Sequence, residues 1–532
     1  LQSNSFDTTW INSSTSVTSG QSGYDGTNDA WLLSKSASHG HIRQNINTSG
    51  VKTFSVYAKA NTNDWIRLRF DNLAGDQNVW INISNGSIGS NNGIATYTTD
   101  IGSGWYRLAI QSASTDLANV RIYPADGDSN TTATSGSIYI QDAQLEQGLV
   151  ARDYIETTTT AIYGGITDNV PRLDYTDSSC PALLLEPQRT NDIQHSEYFA
   201  GWNAVTNVSI NHNESNSPEG VQNATEIVPN TSNDNHFIDK SGFNRTAGEY
   251  ITTTIYAKAN GYDYLYLSLS ASRLYAVFDL ENEEVDVVNS NGTDFTNHSA
   301  SIESVGNGWY RCTLIGQAQS TFGTYLRVSC APTSSNTHTP TFAGDGTSGV
   351  LVYGAQVELN SSYATSYIPT YGSSVTLSDD KAIPPSTSYD LSGSFSIFFS
   401  FGKTRKLSAG SSYFYWLNTN ANDFMLYTNS SGNKGLNIYL PNQGGYVFGS
   451  SSNAAWNSNE SKICVTYDAT TGRLAYFING SKYNEQTSVL SFTGDDVGSF
   501  IEGGPTNLAE IKKYMFFTQA LSDEECIALT TI

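Results

Sequence analysis

The sequence predicts an all-β protein built of tandem antiparallel β-sandwiches, and three observations lead there. Only 14% of residues are charged, while 45 Gly, 32 Tyr and abundant Ser, Thr and Asn suit short strands joined by polar turns. The chain also repeats itself. TFSVYAKAN (Thr53 to Asn61), GSGWYRLAI (Gly102 to Ile110) and SIYIQDAQLE (Ser137 to Glu146) return as TTIYAKAN (Thr253 to Asn260), GNGWYRCTL (Gly306 to Leu314) and VLVYGAQVEL (Val350 to Leu359). Tyr57 matches Tyr256 at an offset of 199, Trp105 matches Trp309 at 204, and Ala143 matches Ala355 at 212. A small drift in one direction is what lengthening loops leave behind. Finally, the last third carries short apolar runs spaced by Gly, Asn and Ser turns, the signature of another sandwich.

At 532 residues the chain exceeds one core, and a prior of roughly 150 residues per domain suggests three or four. The boundaries predicted are 1–157 for the first repeat, 158–182 for a connector, 183–370 for the second repeat and 371–532 for the last sandwich. In repeat one, Phe54, Val56 and Ala58 alternate with Ser55, Tyr57 and Lys59, so the first three should face the core. Likewise Ile66, Leu68 and Phe70 should point inward, and Arg67 and Arg69 outward. Asn85-Gly86 and Asn92-Gly93 mark turns. LQSNSFDTTW (Leu1 to Trp10) matches IQHSEYFAGW (Ile193 to Trp202), yet only the second copy is preceded by CPALLLEPQRTND. The first copy thus opens inside the motif, and further chain before Leu1 is expected. The connector has no clear period and reads as an extended strap. In the last part FSIFFSF (Phe395 to Phe401) reads as a strand covered on both faces. A hairpin follows over Lys462 to Tyr483, and a short helix is capped at Ser522 with Glu525 three residues on.

Composition narrows function. A net charge of −23 argues against nucleic acid or an anionic membrane surface as partner. It disfavours acidic polysaccharide as a bulk electrostatic ligand, while leaving room for a local basic pocket. The five cysteines are widely spaced with no C-x-x-C pair, so zinc and thioredoxin-type chemistry fall away. They read as small buried hydrophobes, with a Cys312–Cys330 disulfide open if their strands are neighbours. No apolar run approaches the ~20 residues of a membrane-spanning helix.

The YAKAN, GWYR and closing AQ-x-E segments resemble the jelly-roll carbohydrate-binding modules of bacterial polysaccharide-degrading enzymes and phage tail proteins. VPRLDYTDSSCPALLLEPQRTN (Val170 to Asn191) resembles a stretch that recurs between such modules in phage tail and virion structural proteins. TYDATTGRLAYFING and FFTQALSDEE resemble the concanavalin A-like, laminin-G-like lectin fold. These resemblances imply two jelly rolls and one lectin-like sandwich in a phage tail-fibre or virion appendage that binds glycans on the bacterial surface. They imply a homotrimer, located in the virion and joined to other virion proteins through a preceding segment. Alternatives are a structural spacer of the virion or a secreted, extracellular polysaccharide-binding protein.

A sugar site needs flat aromatic faces for the pyranose ring and polar groups for its hydroxyls. Trp105 and Trp309, at the same place in both copies, read as fold-keeping residues. Trp65 and Trp80 in repeat one, and Tyr262, Tyr264 and Tyr266 in repeat two, differ between copies and are candidate ligand-binding residues. Trp416, Tyr446 and Trp456 are further candidates, expected at or near loop ends of the last sandwich. Arg67 and Arg69 suit a carboxylate or sulfate, or simply a solvated face. No cofactor is firmly expected. Jelly rolls of this type often carry a structural calcium, for which Asp142 and Glu146 are the candidate ligands, although six or more oxygens are needed. A catalytic reading is weak. The nearest match to the E-x-D-x-x-E strand of laminarinase-type glucanases runs from Glu284 to Asn289 and lacks its final carboxylate, so the leaving group has no acid.

Overall fold

The computed structural model describes residues 2–48, 50–72, 75–113, 117–162, 172–174, 181–270, 273–291, 293–378, 380–382, 393–406, 412–419, 422–428, 437–440, 445–448, 461–487, 500–502 and 507–531. The chain is all-β, in antiparallel sandwiches, and divides into two compact units. One comprises 1–165 and 190–375; the other comprises 166–189 and 376–532.

The first unit holds both repeats, each a sandwich of two six-stranded sheets. In repeat one, one sheet runs Ile11–Ser13, His41–Thr48, Leu117–Ala125, Trp65–Asn72, Gln77–Asn82, Ile88–Asn91. Its partner runs Thr15–Gln21, Ala30–Lys35, Gly136–Gln147, Lys52–Ala60, Trp105–Ser112, Ala95–Gly102. Repeat two has the same strand order in both sheets, beginning at Ala204–Thr206 and Val208–Ser215. Alternation places the cores as expected. Phe54, Val56, Ala58, Ile66, Leu68 and Phe70 all lie in one buried cluster. The hydrogen bonds that close each repeat are duplicated too. Ser3 Oγ meets Tyr154 Oη at 2.6 Å and Ser196 Oγ meets Tyr367 Oη at 2.7 Å. Ile155 N donates to Gln144 Oε1 at 2.7 Å, and Ile368 N to Gln356 Oε1 at 2.8 Å.

Trp105 and Trp309 are each 2% exposed, on the side of their sheet away from the main core. Trp105 packs with Ala30 and Tyr57, beside Tyr24 stacked on Tyr57 at 3.8 Å; Trp309 packs with Ala224, Leu351 and Tyr353. Both therefore hold the fold and offer no face to a ligand.

Within this unit the repeats share a junction. Asn213 Nδ2 of repeat two donates to Tyr97 Oη at 2.7 Å and to the Leu149 carbonyl at 3.0 Å, and Arg152 pairs with Glu219 at 2.9 Å. Next to it, Glu197 is 1% exposed and accepts from Tyr371 at 3.0 Å, Tyr367 at 3.1 Å and Tyr353 at 3.4 Å. Gly50 has φ +82 and sits so close to Tyr371 that a Cβ there would lie 1.8 Å from its carbonyl oxygen, so only glycine fits.

The second unit contains a seven-stranded sheet: Arg172–Asp174, Ala182–Leu185, Asn507–Phe517, Phe395–Lys406, Ser461–Asp468, Arg473–Ile478, Ser481–Thr487. Phe395 to Phe399 are buried at its centre, in line with their continuous apolar run. The strand Ala182–Leu185 spans the boundary drawn at 183, and its Leu183, Leu184 and Leu185 pair with Ile511, Glu510 and Ala509 of this sheet. Ser522 and Glu525 form the expected capping box at the start of the helix Asp523–Thr530. The Cys312–Cys330 disulfide is absent. Their strands lie in opposite sheets of the sandwich, and both thiols are free and buried, as are Cys464 and Cys526. Cys180 lies outside the described residues.

Candidate functional site

The duplicated framework allows the same surface to be compared in two copies. On the sheet containing Trp65–Asn72, the residues pointing away from the core form cross-strand rows. One row is Tyr123, Arg67 and Trp80; the next is Arg43, Arg121, Arg69 and Asn78. The corresponding rows of repeat two are Ser329, Tyr266 and Val277, and then Asp239, Arg327, Ser268 and Tyr275.

In repeat two this face is covered. Residues 332–348, between Phe322–Ala331 and Gly349–Leu359, fold back over it. Tyr266 Oη donates to the Thr333 carbonyl at 2.9 Å, Tyr275 Oη to Asn336 Oδ1 at 2.8 Å, and Phe342 packs on Tyr266 and Val277. Thr341–Ala343 pairs with Asn233–Asn235 and pins the loop down. Tyr266 is consequently 1% exposed, and Tyr262 is 5% exposed within the main core of the repeat, so neither offers the stacking platform expected of it. Burial, together with the Ser335 hydroxyl that opposes it, leaves the Tyr266 phenol titrating above its ordinary range. Tyr264 stays partly exposed.

Repeat one has only residues 126–135 at that position, and its face stays open. Trp65, Arg67 and Trp80 are all partly exposed. The Arg67 guanidinium carbon stands 4.6 Å from the Trp80 ring centre and 5.0 Å from that of Tyr123, which itself packs on His41 at 4.6 Å. Arg69 pairs with Asp71 and Asp76, and Arg121 with Asp71. Burial lowers the pKa of Arg67, whereas at Arg69 burial is outweighed by Tyr123 and by Asp71 and Asp76, which hold it above its usual range. Trp65 owes its position partly to Gly89, where a Cβ would come 2.7 Å from the indole. The arrangement is two indole rings, Trp80 beside Arg67 in one row and Trp65 two positions before it, next to a row of guanidinium and amide donors. Such a surface can stack a sugar ring and hydrogen-bond its hydroxyls.

The candidates of the last sandwich fall differently. Trp416 lies inside the strand Ser412–Thr419, opposite Met425, and Tyr446 inside Gly445–Phe448, opposite Tyr439. Trp416 is three residues from the end of its strand and Tyr446 is next to the first residue of its own, both in one four-stranded sheet. Trp456 lies outside the described residues.

Asp142 and Glu146 do not fit one shared cation. Asp142 accepts from Tyr24 Oη at 2.9 Å, while Glu146 accepts from Gln144 Nε2 at 2.9 Å and Arg152 N at 3.1 Å. Each carboxylate is thus satisfied by the protein's own donors, and burial raises both pKa values, that of Asp142 to about 6. Among the described residues no group of three or more His, Cys, Asp or Glu is placed to hold a metal. Asp142 has φ +51 at a bulge in its strand, and Gly354 at the matching place has φ +60, so this position is set by backbone geometry. In the Glu284–Ser290 strand, Asn289 donates to Tyr275 Oη at 3.1 Å and so belongs to the covered face of repeat two.

The charge difference between the two faces could have been found in the sequence by aligning the strands that flank the GWYR motifs. The covering loop could not, since its length alone does not say where it lies.

No protein-family model matches the chain, and no curated protein matches it. Among solved structures, it is similar to the CBM40 module of the Ruminococcus gnavus IT-sialidase, with 20% identity, a TM-score of 0.22, and coverage of 26% of this chain and 83% of that one. The same module bound to alpha2,3 sialyllactose aligns at 19% identity and a TM-score of 0.21 over 29% and 94%. A Bacteroides ovatus protein provisionally assigned as carbohydrate-binding aligns at 10% identity and a TM-score of 0.21 over 57% and 82%.

Proposed function

We propose that this chain is a non-catalytic glycan-binding protein whose first repeat carries the sugar on its open sheet face. The observation that supports this reading is the contrast between the copies. The framework is the same, but only repeat one leaves two indoles and a polar row uncovered. Repeat two, with its face closed by 332–348, serves as a spacer. The connector and repeat motifs further suggest a phage tail-fibre role in host recognition, as a homotrimer that multiplies weak sites by avidity. Binding of the intact chain to a glycan array tests the reading. Trp65→Ala or Trp80→Ala should weaken binding about tenfold or more, the worth of one stacked ring. Tyr266→Phe, on the covered face, should leave it unchanged. Absence of binding to any bacterial surface glycan, or indifference to both tryptophans, would refute it. Light scattering on the intact chain tests the trimer.

A further inference from the structure

Position by position, repeat one has gained positive charge on its open face. Arg43 stands where repeat two has Asp239, Arg67 where it has Tyr266, and Arg69 where it has Ser268. The arginine common to both, Arg327, is neutralised in repeat two by a two-pronged pair with Asp239, at 2.7 Å on each side. In repeat one the ion pairs of the four arginines Arg43, Arg67, Arg69 and Arg121 among the described residues are with Asp71 and Asp76 alone. A local surplus of positive charge on a chain of net charge −23 calls for an explanation.

Arg67 is the centre of it. Among the described residues it has neither an ion pair nor a hydrogen bond, and its Nε is buried without a partner. The nearby indole Nε1 of Trp80 is also buried without one. The guanidinium carbon stands over both the Trp80 and the Tyr123 ring, and its N–H groups have no partner among the described residues. Such a group receives a carboxylate through two parallel hydrogen bonds, and the ring contacts restrict it in advance. Resting on the glycan-binding reading above, we infer that the sugar bound by repeat one carries a carboxylate, a uronic or nonulosonic acid unit, received by the Arg67 guanidinium. Arg43, which also has no ion pair among the described residues, adds long-range attraction beside it.

The test uses the full chain and matched probes: an oligogalacturonide, its methyl ester, a neutral galacto-oligosaccharide, a sulfated galactan fragment and sialyllactose. At least one free acid should bind, about ten- to hundredfold more tightly than the ester or neutral probe. Its affinity should fall with added salt. Arg67→Lys keeps the charge but loses the planar fork, and should weaken the acid by about tenfold without weakening neutral probes. Arg67→Gln should act likewise, and unchanged melting of both variants excludes misfolding. Equal binding of acid and neutral probes, or silence of both variants, would overturn the inference and leave the glycan reading standing. Preference for the sulfated fragment alone would overturn it in favour of sulfate. Failure of every probe, neutral ones included, would count against both.

Discussion

Replacing Glu197 by Gln should change how the paired repeats respond to pH. Burial, reinforced by the charge of Glu219 and opposed by Arg152 and the tyrosine hydrogen bonds, raises the Glu197 pKa from 4.5 to about 7. A carboxyl with a folded pKa above its unfolded one favours folding most when protonated. Its contribution is complete below pH 4.5 and is lost as pH rises through 7. The loss at pH 8 amounts to about 3 kcal/mol. Glutamine stays neutral and keeps an acceptor for Tyr353, Tyr367 and Tyr371. Its N–H₂ would face Asn223, whose Oδ1 has no partner among the described residues and can turn to accept it. The two proteins should therefore have similar urea midpoints at pH 4. At pH 8 the variant should be the more stable by up to about 3 kcal/mol, read from tryptophan fluorescence. Asp142, Glu146 and Glu358 also have raised pKa values, but they are present in both proteins and cancel in the comparison. A gap that does not vary with pH, or a wild type more stable at pH 8, would refute the reasoning.

Other expectations follow from the packing. Trp105→Ala and Trp309→Ala should each cost about 3–5 kcal/mol, as for large buried aromatics, and by similar amounts if the copies are equivalent; denaturant titration checks both. Ser522→Ala removes the cap that accepts from Glu525 N and should cost about 1 kcal/mol in the second unit, measured as a lowered melting midpoint. Cys312, Cys330, Cys464 and Cys526 should not react with a thiol reagent until the chain unfolds, since all four are buried. Rapid native labelling at any of them, followed by mass spectrometry, would contradict their placement.

Much of this architecture was legible in the sequence because period-2 alternation and repeated motifs are local signals. Phe54, Val56 and Ala58, or Ile66, Leu68 and Phe70, declare their face without reference to any other part of the chain. The same holds for the Ser522 cap and for the equivalence of Trp105 and Trp309. Arg67 and Arg69 were equally legible as outward-facing. What the sequence could not reveal was what lies above each face. Tyr266 looks like Trp65 and Trp80 on its strand, and it is residues 332–348, more than sixty positions away, that cover it. Likewise ALLL adjoins repeat two in the chain, yet pairs with Asn507–Phe517, more than three hundred residues on. An ion pair is of the same kind. Asp239 neutralises Arg327 across 88 positions, and the lack of such a partner at Arg67 among the described residues is visible only when the strands stand side by side. Alternation is a property of neighbours along the backbone, whereas cover, strand partner and charge compensation come from segments brought together by folding, and those the tertiary structure alone decides.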